Sequence, residues 1–195
     1  MILEKEIEFV LAIDALKNVN RRNFNLDNSR RENTAEHSWQ VVVFAQILYP
    51  YARNKEKIDL GKVLKMLSIH DVVEIDAGDT FFYDAKANEG KFERELTSAK
   101  RIFGILNEPL QSEFLNLWLE FEEGKTEEAI FANAVDRMIP FTLNCYNNGL
   151  SWIEAGVTYE KVKQLLRPKI NEASEEMAEA FDILIKKAFD EGKLI

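Results

Sequence analysis

The sequence has few of the residues that make turns, disulfides and imidazole sites: one cysteine, four prolines, eight glycines and two histidines among 195 residues. Its single cysteine, Cys145, excludes an internal disulfide, and with no histidine nearby in the sequence to activate it we expect a core thiol. So little glycine and proline disfavours a turn-rich β fold, whereas an apolar content of 46% supports a sizeable core. The composition favours a helical protein.

The chain also lacks an excess of positive charge and any long apolar run. The formal net charge is -9, which argues against a nucleic-acid-binding surface because duplex binding relies on Lys and Arg to neutralise phosphates. The longest apolar run, 41–49, is too short to span a bilayer, and the first nine residues carry acids where a signal peptide carries basic residues. We therefore expect a cytoplasmic protein that binds neither nucleic acids nor membranes.

No linker rich in Ser, Gly or Pro and no internal repeat divides the chain, which predicts one domain over residues 1–195. Thr34 and Asp59 are the predicted N-caps of the two helices that carry the histidines, and residues 20–33 have the composition of a loop. No segment shows convincing strand alternation, so the predicted fold class is all-α, a compact helical bundle. The predicted helices span residues 2–18, 34 to about 49, 59 to about 74, 89–106, 109–123, 126–147, 158–167 and 169–191.

Both histidines stand beside a carboxylate. His37 follows Glu36 in ENTAEHSW, and His70 precedes Asp71 in SIHDVVEIDAGDT, while AVDRM supplies a further apolar-flanked acid, Asp136. Two imidazoles and two carboxylates suit a hard-to-borderline divalent cation, and side chains from separate helices could complete a cage with positions left for water or phosphate. From spacing alone, the alternative is two surface histidines among ordinary helical acids.

The order H…HD…D, formed here by His37, His70, Asp71 and Asp136, is similar to the pattern of the HD-domain superfamily of metal-dependent phosphohydrolases. The longer motifs RxENTAEHSW, HDxxExxxGD and AVDR resemble the bacterial 5′-deoxynucleotidases and their HD-domain relatives over residues 5–155, with helices at about 158–191 packing on that part. The resemblance implies an HD-domain helical bundle in which those four residues hold one divalent metal between helices. It also implies a homodimer. Mixed imidazole and carboxylate ligation suits Mn, Co, Fe or Ni better than Mg.

The same resemblance assigns catalytic roles to two further acids. Glu74, one helical turn after His70 and Asp71, is the candidate general acid/base, with a solvated helix acid as the alternative. Asp79 follows Gly78, which lets the backbone turn, and is implied to orient the substrate sugar or the attacking water.

Two arginine pairs, 21–22 and 30–31, precede His37, and guanidinium groups bind phosphate bidentately. Counted back from His37, Arg22 aligns with a substrate-phosphate arginine of the family, while Arg21 is the adjacent alternative and a solvated helix end is the other interpretation. The family often has Trp directly after that arginine, where this chain has Asn23, so recognition of sugar or base departs from the pattern. The chain's own tryptophans, Trp39 among them, are expected in the core.

The sequence thus predicts an enzyme, a metal-dependent phosphohydrolase that removes phosphate from nucleoside 5′-monophosphates, deoxynucleotides in particular, by attack of metal-activated water. One alternative is hydrolysis of a cyclic or a pyrophosphorylated guanosine nucleotide, although the lack of further histidines argues against a two-metal phosphodiesterase. Another is a non-catalytic nucleotide-binding regulator, against which the complete ligand set argues.

Overall fold

The computed structural model describes residues 2–195 and consists of α-helices with one small two-stranded sheet, which confirms the predicted all-α fold class. The two strands are β1 (Asn20–Phe24) and β2 (Arg31–Asn33). The helices are α1 (Glu4–Ile13), α2 (Thr34–Leu48), α3 (Leu60–Ile69), α4 (Glu74–Ala77), α5 (Lys91–Phe103), α6 (Leu110–Glu123), α7 (Glu127–Tyr146), α8 (Leu150–Glu154), α9 (Tyr159–Ala173) and α10 (Glu175–Asp190).

Helix α7 lies at the centre of the bundle and packs against α2, α3, α6, α9 and α10. Its buried positions are mostly alanines and large apolar residues, so neighbouring helices approach it closely on several sides. Helices α2 and α3 also pack against each other. Each of these three mutually packed helices therefore positions a candidate metal ligand: α2 contains His37, α3 ends at His70 and α7 contains Asp136.

The N-terminus of α2 is fixed by a capping box. Asn33 accepts a hydrogen bond from the Glu36 backbone N–H at 3.0 Å, and the Glu36 carboxylate accepts one from the Asn33 N–H at 3.2 Å. The prediction that Thr34 caps this helix is wrong by one residue, because Asn33 is an equally good cap and lies three residues before the required Glu. The predicted cap Asp59 of α3 is confirmed.

Residues 20–33 form a hairpin where the sequence predicts a loop. Strands β1 and β2 pair antiparallel, with Asn20 opposite Asn33 and Phe24 opposite Arg31. The prediction was wrong because these strands are rich in Asn and Arg and lack the alternation of apolar and polar residues that marks a half-buried strand. The hairpin packs on α7 and α8 and leads directly into α2.

The boundary between the two C-terminal helices lies later in the chain than predicted. Helix α9 continues through Pro168 to Ala173, and Ser174 caps α10 by accepting a hydrogen bond from the Met177 N–H. Proline removes one helical hydrogen bond, but α9 packs along both α7 and α10, and this tertiary contact outweighs the local cost.

The core contains two of the three tryptophans and several phenylalanines. Trp118 and Trp152 are buried as predicted, and so is Cys145, whose pKa burial raises to about 12. Trp39, which the sequence analysis places in the core, is 68% exposed on the outer face of α2. Within residues 2–195, no helix is both long enough and apolar enough to cross a membrane.

Candidate metal centre

Three of the four predicted ligands converge from distant parts of the chain. His37 lies in the first turn of α2, His70 caps the C-terminus of α3, and Asp136 lies in the middle of α7. The Oδ1 atom of Asp136 is 2.8 Å from His37 Nε2 and 3.4 Å from His70 Nε2. One donor atom from each residue lies within 4.8 Å of the other two, which is close enough for a single ion to contact all three.

Asp71 adds a second carboxylate to this cluster. It follows His70 in the turn between α3 and α4, and its Oδ2 atom lies 3.2 Å from His70 Nε2 and 3.7 Å from His37 Nε2. The structure therefore brings all four predicted ligands together, two imidazole nitrogens and two carboxylate oxygens, from three helices.

The orientation of the His70 ring shows that the cluster fits a cation. Its Nδ1–H donates to the Leu67 carbonyl at 2.8 Å, which directs the buried Nε2 atom toward Asp71 and Asp136. Among residues 2–195 this Nε2 atom has no hydrogen-bond partner. Burial alone would lower the pKa of His70, but these carboxylates outweigh burial and hold the pKa well above its usual range. A divalent metal ion would neutralise the same carboxylates and be ligated by the lone pair of a deprotonated Nε2, so this set of donor atoms suits a metal.

The two aspartates are held in the ionised form that a metal ligand needs. Burial would raise the pKa of Asp71, but His70 and Arg21 lower it below the usual range. Burial likewise opposes ionisation of Asp136, yet the hydrogen bond from His37 and the nearby His70 ring hold its pKa well below the usual range.

Arg21 reaches the cluster, whereas Arg22 does not. The Nη1 atom of Arg21 lies 2.8 Å from Asp71 Oδ2 and 3.8 Å from Asp79 Oδ1, and its side chain is 13% exposed. Alternate residues of a strand face opposite sides, and Arg22 is exposed and lines the two cavities beside the cluster. Of the two predicted phosphate-binding arginines, Arg21 is the one beside the candidate ligands.

Glu74 and Asp79 lie close to the ligand cluster, since the charge of Asp71 acts on both carboxyl groups. Glu74, the first residue of α4, is buried and accepts a hydrogen bond from the Thr34 hydroxyl at 2.9 Å. Burial, together with the negative charge of Asp71, raises the pKa of Glu74 well above its usual range. Asp79 follows Gly78, whose positive φ of 74° is a conformation that glycine adopts readily. Burial raises the pKa of Asp79.

Two acidic residues near the centre, Glu32 and Glu95, are not among the predicted site residues, and Glu95 was expected on the solvent-exposed face of its helix or at the mouth of the site. Glu32 in β2 approaches both Arg21 and His37, and Glu95 in α5 is buried and pairs with Lys91 at 3.4 Å. Strand alternation turns Glu32 inward, and this was hidden because no strand was predicted. The available signal was its place in the RxEN motif before His37.

Two adjacent cavities open beside the cluster. The inner one, about 90 Å³, is lined by charged side chains and otherwise mainly by aromatic and amide side chains; the charged ones are Arg21, Arg22, Arg137, Asp79 and Asp136. The outer one, about 510 Å³, shares Arg22, Phe81 and Tyr83 with it. Sites for small molecules usually occupy about 300–1,000 Å³, so the inner cavity suits a small anionic group and the outer one has room for a larger attached group.

A family model described as an HD domain matches residues 13–178. Among solved structures, a predicted metal-dependent phosphohydrolase from Magnetospirillum magnetotacticum is 41% identical, has a TM-score of 0.93, and the match covers 98% of this chain and 95% of that one. An HD-domain phosphohydrolase from Listeria innocua is 15% identical with a TM-score of 0.59, over 94% of this chain and 85% of that one, a likeness of fold alone.

Curated relatives are more distant in sequence. The 5′-deoxynucleotidase HDDC2 of Homo sapiens is 28% identical over 132 residues, which cover 67% of this chain and 62% of the human protein. The protein of the same name from Dictyostelium discoideum is 27% identical over 109 residues, 54% of this chain and 57% of that protein. The matched stretch thus spans less than two thirds of either relative.

Proposed function

Because this chain belongs to the HD domain family, we propose that it is a metal-dependent phosphohydrolase and that its substrates are nucleoside 5′-monophosphates. The observation that carries the proposal is the convergence of two imidazoles and two carboxylates from three packed helices, with Arg21 against one of those carboxylates. The substrate class is supported by the 5′-deoxynucleotidases that the chain resembles. It is also supported by the paired cavities, which fit a phosphate with a bulky attached group.

In this proposal His37, His70, Asp71 and Asp136 hold one divalent metal. The metal supplies Lewis acidity, which activates water and neutralises charge on the phosphoryl group. Imidazole and carboxylate ligands together suit Mn, Co, Fe or Ni better than Mg.

The remaining steps belong to side chains around the ligands. Arg21 binds a phosphoryl oxygen, since its buried guanidinium lies against Asp71 at the edge of the inner cavity. Glu74 exchanges the proton, because it is a buried carboxyl beside Asp71, its pKa is raised above the usual range of a glutamate, and Thr34 fixes its orientation. Asp79, near Arg21 on the cavity wall, orients the substrate sugar or the attacking water.

The proposal is tested by phosphate release from a panel of ribo- and deoxyribonucleoside 5′-monophosphates, with Mn²⁺, Co²⁺ or Mg²⁺ added back to metal-stripped protein. We expect release that requires added metal and is fastest with Mn²⁺ or Co²⁺. The ratio of the deoxyribose to the ribose rates gives the sugar preference. Protein that binds metal but releases no phosphate from any monophosphate would overturn the proposal, and cyclic and pyrophosphorylated guanosine nucleotides would be the next substrates tried.

Exchanging each arginine of the 21–22 pair for lysine separates their roles. We expect Arg21→Lys to lower kcat/KM about 10- to 100-fold, since lysine keeps the charge but loses the planar fork, and a hydrogen bond to a charged group contributes about 1.5–3 kcal/mol. Arg22→Lys is the comparison, for which we expect a smaller loss than for Arg21→Lys, because Arg22 lines both cavities but is exposed, whereas Arg21 pairs with the candidate ligand Asp71. Steady-state kinetics with one nucleotide measures both, and a larger effect of Arg22→Lys would assign phosphate binding to Arg22.

We also propose that the protein is a homodimer that associates through α2. Trp39, Val43 and Ile47 recur every four residues and form an exposed apolar stripe on this helix. We expect Ile47→Glu to shift the mass measured by light scattering from dimer to monomer, whereas Ile183→Glu, at a similarly exposed apolar position on α10, leaves it unchanged. A wild-type protein that is monomeric at micromolar concentration would contradict the proposal.

A further inference from the structure

A buried carboxylate connects the candidate metal centre to Arg21. The side chain of Glu32 is 4% exposed, and its Oε2 atom lies 3.8 Å from His37 Nδ1 and 3.4 Å from Arg21 Nε. All three atoms are buried, and none has a hydrogen-bond partner within residues 2–195. Buried polar groups are nearly always paired, so three unpaired atoms facing one another need an explanation.

The hydrogen bonding of His37 explains why these three atoms are unpaired. Its Nε2 lies 2.8 Å from a carboxylate oxygen of Asp136, so without a metal Nε2 carries the ring proton and Nδ1, beside Glu32, has none to donate. A metal on Nε2 excludes that proton, and the neutral ring must then carry its proton on Nδ1. The Glu32 carboxylate, 3.8 Å from Nδ1, is an acceptor for that proton.

Arg21 presents a second donor to the same carboxylate. Its Nη1 is engaged by Asp71, whereas its Nε lies 3.4 Å from Glu32 Oε2 without forming a hydrogen bond to it. A guanidinium is a rigid plane, so a hydrogen bond at Nε fixes the direction in which the Nη atoms face the inner cavity.

We propose that Glu32 is a positioning residue that accepts hydrogen bonds from His37 Nδ1–H and Arg21 Nε–H when the metal is bound. The inference rests on the proposed function for the roles of metal and phosphate. It means that one carboxylate fixes both a metal ligand and the phosphate-binding cation, so metal binding raises the affinity for phosphate, and phosphate raises the affinity for metal by the same factor.

Nuclear magnetic resonance of protein labelled with ¹⁵N-histidine tests the His37 contact directly, because the chain has only two histidine rings. His70 serves as the internal reference, since its Nδ1–H is held by the Leu67 carbonyl. On loading wild-type protein with diamagnetic Zn²⁺, we expect the proton of His37 to move from Nε2 to Nδ1. A loaded protein in which His37 Nδ1 remains unprotonated would overturn the proposal.

Glu32→Gln tests the coupling. We expect it to weaken Mn²⁺ binding to metal-stripped protein about 10- to 100-fold, in line with the loss of an outer partner of a ligand histidine, and to abolish the mutual effect of Mn²⁺ and inorganic phosphate in titration calorimetry. The matched control is Glu95→Gln, another buried glutamate whose partner is Lys91, and we expect it to change Mn²⁺ affinity less than about threefold. Wild-type affinities for both ligands in Glu32→Gln would overturn the proposal.

A second variant and readouts that do not depend on turnover separate failure of this proposal from misfolding and from failure of the proposed function. If Glu32→Gln fails to fold, Glu32→Asp is used instead, because it retains the charge. We expect its thermal unfolding to resemble that of wild type and its Mn²⁺ affinity to be lower than that of wild type. Neither the resonances nor the calorimetry depends on turnover, so an absence of nucleotidase activity in wild-type protein would remove the proposed function and leave the role of Glu32 still decided by these data.

Discussion

Asp136→Asn is expected to abolish metal-dependent phosphate release, with a loss of at least about 10³-fold in kcat/KM. Its Oδ1 atom is the oxygen that both His37 and His70 face, so the substitution removes the anionic ligand common to the two imidazoles. Metal catalysis contributes several kcal/mol of transition-state stabilisation, and each 1.4 kcal/mol corresponds to a tenfold change in rate.

Thermal unfolding with and without Mn²⁺ measures the same effect without substrate. A ligand present at 100 times its Kd stabilises the folded state by about 2.7 kcal/mol, so wild-type protein is expected to melt at a higher temperature when Mn²⁺ is added, and Asp136→Asn is not. The matched control is Asp76→Asn, because Asp76 pairs with Arg101 at 2.8 Å on the surface and lies outside the ligand cluster. An Asp136→Asn protein that keeps both the Mn²⁺ shift and the activity would remove Asp136 from the ligand set.

Glu74→Gln is expected to lower kcat by about 10²- to 10⁴-fold while Mn²⁺ affinity changes little. The hydrogen bond that Glu74 accepts comes from Thr34, and glutamine can still accept it, so the fold and the ligand cluster stay in place while the transferable proton is lost. The raised pKa of Glu74 also places one limb of the wild-type pH–rate profile above the usual range of a glutamate, and that limb should be missing in the variant.

Glu95→Gln provides the comparison for this second prediction. Glu95 is buried like Glu74, and burial raises its pKa to about 7, but its ion-pair partner is Lys91 rather than a residue of the cluster. We expect Glu95→Gln to retain kcat within about threefold and to keep the wild-type pH profile. Equal losses in the two variants would show that a buried charge, and not a proton transfer by Glu74, accounts for the effect.

The helices could be predicted from the sequence because their apolar residues recur at helical spacing and their ends carry caps such as Asp59 and Thr126. The ordered histidines and aspartates predicted the ligand set, and the structure brings those residues together. The hairpin could not be predicted, since backbone pairing and packing on α7 and α8 hold strands that lack an apolar pattern.

Because the hairpin was not predicted, the inward-facing residues of the site could not be chosen correctly from the sequence. Which arginine of a pair faces inward depends on strand parity, so sequence spacing alone could not choose Arg21 over Arg22. The same parity turns Glu32 toward His37. The exposure of Trp39 was unpredictable for a different reason, because which face of α2 meets α3 and α7 is decided by tertiary packing.

The spread of the ligands along the chain makes the centre a reporter of completed folding. His37 and Asp136 are separated by 99 positions, and Asp71 and His70 come from a third helix between them. A chain segment that ends before α7 lacks one of the ligands, and a collapsed chain in which α2, α3 and α7 have not docked cannot present them to one ion. High-affinity metal binding therefore follows the last docking step, and the bound ion stabilises only the fully assembled bundle, slowing its unfolding.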